Sequence, residues 1–374
     1  MKIILAGGGS GGHFYPLMAV ARSLRDIADE ERIISLDLMY MGDTPFDKHA
    51  LDEEGIVYEY LPAGKMRRYF SLKNITDIFK TIRGIASALW KFTMRPPDLV
   101  FSKGGYGAYP ILWAARIYRI PIMIHESDAV PGYVNTWSSK FASRIGVAFP
   151  EAVRFFPPEK TALVGNPIRR GLLGGSSDEA FDMFKLESGV PIVLVLGGSQ
   201  GAQKINEAIL AALPELVEHV QIIHSAGPLH FESVKNEANV ALAKSQQKKR
   251  YHPFGSLDVG QLRNASFAAD IIVSRSGAGH IFEIAAWGKP AILIPIANSP
   301  QNHARENAYN YARQGAAEVM EEANLTPHLL VSEITRIIHD TERKTSMKQA
   351  AESFAKIDAA QKIANEIIKL GIHD

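Results

Sequence analysis

A histidine stands directly after a glycine run near the start of the chain, in Gly7-Gly8-Gly9-Ser10-Gly11-Gly12-His13-Phe14. Glycine lets the backbone turn tightly and approach a ligand closely, because no Cβ intervenes. A helix opening just afterwards offers unpaired N–H groups and the positive end of its dipole, which suits a phosphate or a polar transition state. An imidazole at such a helix start is held in its neutral, proton-accepting form, so His13 is a candidate general base. The plainer alternatives are a histidine that packs or caps, and a glycine turn that only joins strand to helix. Its expected place on a loop facing an interdomain cleft favours catalysis. A second loop of the same kind follows a later strand, Gly197-Gly198-Ser199-Gln200-Gly201-Ala202. Neither loop matches G-x-x-x-x-G-K-[ST], which argues against a Walker-type hydrolase. No clear ribose-binding acid follows the first, so a dehydrogenase is unsupported.

These loops need strands before them and helices after them. Strand-like runs lie at Ile3–Ala6, Leu36–Met41, Leu99–Ser102, Ile122–His125 and Ile145–Phe149, then at Ile192–Leu196, Gln221–His224, Ile271–Ser274 and Ala291–Pro295. Their continuous apolar character predicts parallel strands buried on both faces and alternating with helices. The repeated strand–glycine-loop–helix device predicts two Rossmann-like α/β domains in tandem. Turn residues cluster at Val164–Arg170 and Gly171–Ser177, giving expected domains of 1–165 and 166–346. A last helical segment, 347–370, has no strand after it and is expected to brace the first domain.

A chain of 374 residues fits two domains of ordinary size. With 41 basic and 40 acidic residues, it lacks the net basic surface of a general nucleic-acid binder. It has no cysteine, which excludes disulfides and thiolate metal sites and is compatible with a reducing compartment. The short apolar start, Ile3–Ala6, reads as a strand and not as a signal peptide. No apolar run reaches the roughly 18–20 residues of a membrane span. A cytosolic protein that can touch a membrane is the expectation.

Taken together, several motifs resemble the MurG family of peptidoglycan glycosyltransferases. They are Gly7–Pro16, Gly104-Gly105-Tyr106, His125-Glu126, Val164-Gly165-Asn166-Pro167-Ile168-Arg169, Gly197–Ala202, and Arg275-Ser276-Gly277-Ala278 with Glu283-Ile284-Ala285. They run in the family's order across most of the chain. The resemblance implies the GT-B fold, two Rossmann-like domains facing across a cleft. It implies transfer of N-acetylglucosamine from UDP-GlcNAc to O4 of the muramyl sugar of lipid I, an undecaprenyl-diphosphate-linked acceptor, to form lipid II at the cytoplasmic face of the membrane. Peptidoglycan synthesis, cell shape and cell division would depend on it.

The residues fit that chemistry. Arg275-Ser276-Gly277-Ala278-Gly279 follows a strand and opens a helix whose N–H groups can cradle a diphosphate, with Arg275 adding positive charge. Glu283, one turn into that helix, can accept from the two ribose hydroxyls. The resemblance places Ser199 and Arg169 at the donor, Ser10 beside Gly11 and Gly12 where the family has threonine, and Asn206 near the sugar. It sets Tyr106, His125, Glu126 and Asn135 on the acceptor side, Glu126 either orienting His13 or binding acceptor, and the uracil near Phe254–Leu257. Three sites depart from the family pattern. His-Glu-Gln-Asn becomes His125-Glu126-Ser127-Asp128, Gly-Ala-Leu-Thr becomes Gly277-Ala278-Gly279-His280, and Asp-His-Gln becomes Asn302-His303-Ala304, with Gln301 a possible substitute for the missing amide.

Lys65–Arg95 interleaves Lys65, Arg67, Arg68, Lys73, Lys80, Arg83, Lys91 and Arg95 with Met66, Phe70, Leu72, Ile75, Ile78, Phe79, Ile82, Trp90 and Phe92. That is the pattern of a surface for anionic lipid, or of a helix packed on the sheet with a solvated basic face. No D-x-D pair or His/Asp/Glu cluster suggests a metal site, so metal-independent catalysis without a cofactor is expected. A UDP-GlcNAc 2-epimerase, a transferase with another glycolipid acceptor and a non-catalytic UDP-sugar-binding scaffold are the rival readings.

Overall fold

The first strand, β1 (Lys2–Ala6), divides its side chains between two apolar layers. Ile3 and Leu5 join one buried cluster, and Ile4 and Ala6 join another. A strand apolar on both faces must be covered by helices on both sides, which requires crossover connections and a parallel sheet. The computed structural model has this form, and it describes residues 1–7, 9–65, 73–198, 202–297 and 299–372.

The first unit holds β1, β2 (Asp37–Gly42), β3 (Val57–Tyr60), β4 (Leu99–Ser102), β5 (Ile122–Glu126), β6 (Arg144–Val147) and β7 (Thr161–Leu163). The strands lie in the order β3-β2-β1-β4-β5-β6-β7, every neighbour pair parallel. Its helices are α1 (Gly11–Glu30), α2 (Lys48–Glu53), α3 (Lys73–Met94), α4 (Tyr109–Ile117) and α5 (Tyr133–Ser138). The second unit runs α6 (Ser177–Phe184), β8 (Ile192–Leu196), α7 (Gln203–His219), β9 (Gln221–Ser225), α8 (Phe231–Ala241), β10 (Tyr251–Phe254), α9 (Val259–Ala268), β11 (Ile271–Ser274), α10 (Ala278–Ala286), β12 (Ala291–Leu293), α11 (His303–Arg313), β13 (Ala317–Val319), α12 (Pro327–His339) and α13 (Thr341–Phe354). Its sheet order, β10-β9-β8-β11-β12-β13, is again parallel. In each sheet the order reverses beside the strand that precedes a glycine loop, the crevice where open α/β sheets take ligands.

The units are Met1–Arg169 with Lys356–Asp374, and Arg170–Ala355, so the boundaries expected at 165 and 346 move. Arg169 stacks its guanidinium over the Tyr15 ring at 4.4 Å, holding the segment after 165 to the first unit. Phe354 packs against Phe282 and Tyr311, each at 5.0 Å, holding the segment after 346 to the second. The expected single helix over 347–370 is therefore two. α13 stops at Ala355, whose ψ of 134° is extended. α14 (Ala359–Ile372) then buries Ala360, Ile363, Ala364, Ile367 and Ile368 in the cluster shared by β1 and α1.

α3 covers one face of the first sheet with Ala88 and Phe92. Its outer face is apolar as well: Ile75, Ile78, Phe79, Ile82, Trp90 and Met94 are 57–67% exposed, beside exposed Lys80 and Arg83. Residues 66–72, which include Met66, Arg67, Arg68, Phe70 and Leu72, lie outside the described residues. Among the described residues, no helix is long and apolar enough to cross a membrane.

Candidate active site

In the first unit, the glycine run ends at Ser10, whose extended backbone caps α1 while its hydroxyl makes no cap bond. The Ser10 carbonyl accepts from His13 and Phe14 N–H, both at 3.1 Å. Gly11 and Gly12 open the first turn and His13 is its third residue. Gly9 has φ +37°, and a Cβ there would lie 2.9 Å from the Tyr106 hydroxyl. A glycine is what allows this loop to meet Tyr106, which follows β4 in a 3-10 turn. Burial, then Asp43 and Asp77, push the Tyr106 phenol up. Lys65 lies 5.8 Å from the centre of its ring.

The end of β5 is different in kind from the expectation. His125 is fully buried and both ring nitrogens are taken, Nδ1 by Lys103 Nζ at 2.5 Å and Nε2 by the Gly165 carbonyl at 2.8 Å. Burial, then the Lys103 charge, hold its pKa well below the ordinary value. His125 thus braces the site and does not line it. Glu126, read as a possible second catalytic group, is 4% exposed. It accepts from Asp128 N–H at 3.0 Å, Gly132 N–H at 2.9 Å and Asn135 Nδ2 at 2.9 Å. Those bonds shape the 128–132 turn, and burial, then Asp128, raise the carboxyl to about 7. Asn135 is buried too, and donates to the His125 carbonyl as well. Half-buried Asp128 is carried on the turn they hold.

In the second unit, β11 leads through Arg275 and Ser276 to Gly277, the N-cap of α10, which has no side-chain cap bond. Among the described residues nothing lies within 4 Å of where a Cβ would sit on Gly277 or Gly279. Internal packing therefore does not account for these glycines, and the helix start is open to a ligand. His280, in the first turn, bonds Ser274 Oγ through Nδ1 at 3.0 Å. Its Cε1 lies 3.5 Å from a Cβ built on Gly198, so the ring sits against the second glycine loop. Glu283 is half-buried on α10. Arg275, expected to add positive charge at the diphosphate, pairs Nη2 with Glu322 Oε1 at 2.6 Å and donates from Nη1 to the Ile294 carbonyl at 3.2 Å.

After β12, Gln301 and Asn302 both hold left-handed φ, +54° and +58°, a strained pair costing about 1–3 kcal/mol each. His303 opens α11. Ser276 Oγ donates to the Ala304 carbonyl at 2.7 Å, tying that loop to the α10 entry. Asn206, expected near the sugar, is 3% exposed and spends its amide on the Ala226 carbonyl at 2.9 Å and on His224 Nε2 at 3.0 Å. It is part of the core. Phe254 closes β10 edge-on to Phe184 at 5.4 Å. Ser199 lies outside the described residues.

The described site residues, Asn206 on α7 apart, fall at or just past the C-terminal end of a parallel strand or early in the helix that follows. Burial divides them into part-exposed or exposed groups (Ser10, His13, Tyr106, Asp128, Gly277, Glu283, His303) and buried braces (His125, Glu126, Asn135, Asn206). Sequence reading missed Lys103 and Glu322, and named Asn166 within a motif without giving it a role. A lysine directly after an all-buried strand and before Gly104-Gly105 was the one signal for the first.

Comparison with known proteins follows the same lines. The model of the glycosyltransferase family 28 N-terminal domain matches residues 3–147, and that of its C-terminal domain matches 192–365. A UDP-N-acetylglucosamine--N-acetylmuramyl-(pentapeptide) pyrophosphoryl-undecaprenol N-acetylglucosamine transferase of Clostridium kluyveri is 35% identical, over 98% of this chain and 99% of that one. The crystal structure of MurG from Acinetobacter baumannii aligns with TM-score 0.75 and 26% identity, over 98% and 99% of the two chains. A UDP-GlcNAc 2-epimerase from Neisseria meningitidis, solved with UDP-GlcNAc, aligns at 0.69 with 15% identity, over 99% of this chain and all of that one, and shares the fold alone. With two parallel-sheet domains of the GT-B fold and relatives matched over nearly its whole length, this chain is a glycosyltransferase and belongs to the MurG family.

Proposed function

We propose that the enzyme transfers N-acetylglucosamine from UDP-GlcNAc to O4 of the muramyl sugar of lipid I, with inversion and without a metal ion. The observation that carries this reading is the placement of the motif groups at the C-terminal ends of both sheets, in a chain 35% identical over 98% of its length to a relative named for that transfer. The second unit takes the donor. The open start of α10 receives the diphosphate on backbone N–H groups, and Glu283 accepts from the ribose. Arg275 turns from Glu322 toward the phosphates or lends its charge from where it stands.

The first unit takes the acceptor. His13 removes the proton from the attacking hydroxyl as that oxygen bonds to C1 of the sugar. The bond from C1 to the diphosphate oxygen breaks on the opposite face, and UDP leaves with the electron pair against the α10 dipole. Among the described residues no three His, Asp or Glu side chains gather as a cation cage, and helix dipole and N–H groups supply the positive field in this scheme. The exposed apolar stripe of α3 with Lys80 and Arg83 rests on anionic lipid, so the enzyme is peripheral at the cytoplasmic face, where the acceptor's lipid stays embedded.

The test is UDP release from UDP-GlcNAc with and without a lipid I analogue, beside UDP-GalNAc and UDP-glucose. Release that requires the analogue and prefers UDP-GlcNAc is expected. Release without acceptor would mean an epimerase-like or hydrolytic reaction, and UDP binding without release would mean a binding protein.

A further inference from the structure

Lys103 follows β4 and is 2% exposed. Its Nζ lies 2.5 Å from His125 Nδ1, 2.5 Å from Ser127 Oγ and 3.1 Å from Asn166 Oδ1. Those partners stand at the end of β5, on the turn after β5 and on the segment after β7. One amino group therefore joins three loops of the first unit, those after β4, β5 and β7. These loops carry Tyr106, Asp128 and, through Asn166-Pro167-Ile168, Arg169.

With a charged amine, every donor and acceptor in this cluster is matched. An ammonium has three hydrogens and no lone pair, and it faces three acceptors. His125 must then accept at Nδ1 and carry its proton on Nε2, where the Gly165 carbonyl receives it at 2.8 Å. Ser127 Oγ accepts from the ammonium and gives its own hydrogen to Asn166 Oδ1 at 3.1 Å. A neutral amine has only two hydrogens for three partners, so the Ser127 hydroxyl would have to turn from Asn166 and donate to it, and the link from Ser127 to Asn166 would be lost. The charges that face this ammonium are Glu126 and Asp128, which favour it, while His13 acts on the same His125.

Burying a charge so deeply costs several kcal/mol, and an apolar side chain of similar size would serve stability alone as well or better. The geometry points to Lys103 as a positioning residue for the transfer reaction: its charged amino group holds the loops after β4, β5 and β7 in the register that presents the acceptor to His13. The inference rests on the acceptor assignment to the first unit made above. Burial lowers the Lys103 pKa to about 7, so the proton is lost near neutral pH.

The experiment compares the wild-type enzyme with Lys103→Met, Lys103→Arg and Ser127→Ala, measuring acceptor-dependent UDP release from pH 6 to 9, UDP affinity, and hydrogen exchange of the three loops. Lys103→Met is expected to lower kcat/KM for the lipid I analogue about a hundredfold, the usual loss for a misplacement near 1 Å. UDP affinity should stay unchanged, and exchange should speed up at 104–106, 127–132 and 165–167. Lys103→Arg keeps the charge, restores part of the rate and removes the alkaline fall in activity. Should arginine not fit and the variant not fold, Ser127→Ala decides: by taking away one acceptor it should move the alkaline fall to lower pH. Wild-type kcat/KM in Lys103→Met, or an unmoved alkaline limb in Ser127→Ala, would overturn the inference. If the wild type shows no acceptor-dependent release, the functional proposal fails, and the exchange data alone judge the loops: unchanged exchange in Lys103→Met refutes the clasp.

Discussion

Replacing Gly277 with alanine separates folding from ligand binding. The residue has φ −65° and ψ 143°, which alanine adopts without strain, and a Cβ there meets nothing within 4 Å among the described residues. Alanine restricts the unfolded chain and so stabilises by about 0.4–1 kcal/mol. It is a poorer N-cap than glycine, costing a similar fraction of a kcal/mol. The two effects nearly cancel, so the melting temperature should move by less than about 2 °C for a unit of this size. Binding is another matter, because in the proposed site the methyl group projects into the open space where the diphosphate would approach the α10 N–H groups. Losing one charge-assisted hydrogen bond costs about 1.5–3 kcal/mol, or roughly ten- to over a hundredfold in UDP affinity. Calorimetric titration with UDP, beside thermal melting of the ligand-free protein, reads both quantities. A variant that binds UDP within twofold of the wild type would refute the cradle. A large fall in melting temperature would refute the claim of open space.

Three further perturbations test other parts of the molecule. His13→Ala should reduce acceptor-dependent turnover by at least a hundredfold while UDP affinity holds, and an equal loss of both would remove His13 as the base. Ile78→Glu with Phe79→Glu places two charges on the exposed α3 stripe and should weaken sedimentation with anionic vesicles, leaving release on a detergent-solubilised acceptor intact; undiminished vesicle binding would move the membrane contact elsewhere. In the second unit, His224 is fully buried with its pKa lowered to about 3. The unfolded chain therefore takes up a proton near pH 6.5 that the folded one refuses. Stability is full above that pH and falls as the pH drops toward 3, by an amount on the order of 5 kcal/mol. Denaturant midpoints measured from pH 7 to 4 should show the fall, and His224→Gln should flatten it.

The two α/β units were legible because their strands are unbroken apolar runs, such as Ile192–Leu196 with every residue buried, and because glycine loops punctuate them. The glycine-rich helix starts were legible for the same reason: Ser10 and Gly277 are the N-caps of α1 and α10, and both stand in glycine runs readable in the chain. The braces were not. Glu126 and Lys103 are ionisable types, which sequence patterns read as solvated. Their burial depends on partners brought in from other strands, Asn166 standing 63 positions from Lys103. Arg275 and Glu322 meet only because β12 and the loops after it return to the same sheet edge. The break between α13 and α14 has no glycine or proline at 355–358, and the one local cue was Asp358 at the start of the second helix, where its carbonyl accepts from Lys362 N–H at 3.0 Å.

The return of the chain to its first unit sets an order of events during synthesis. The second unit is continuous from Arg170 to Ala355 and can close as soon as it has emerged from the ribosome. The first cannot, although its strands are made earlier, because Ile363, Ile367 and Ile368 of α14 supply part of its core. Domains usually fold from the N-terminus as they appear; here the elder domain waits for the younger. Until residues 359–372 emerge, the face of α1 that they cover stays uncovered and open to a chaperone. Chains ended at residue 355 and released should therefore be cut by protease within 1–169 while 170–355 resists, and the full chain should be protected in both.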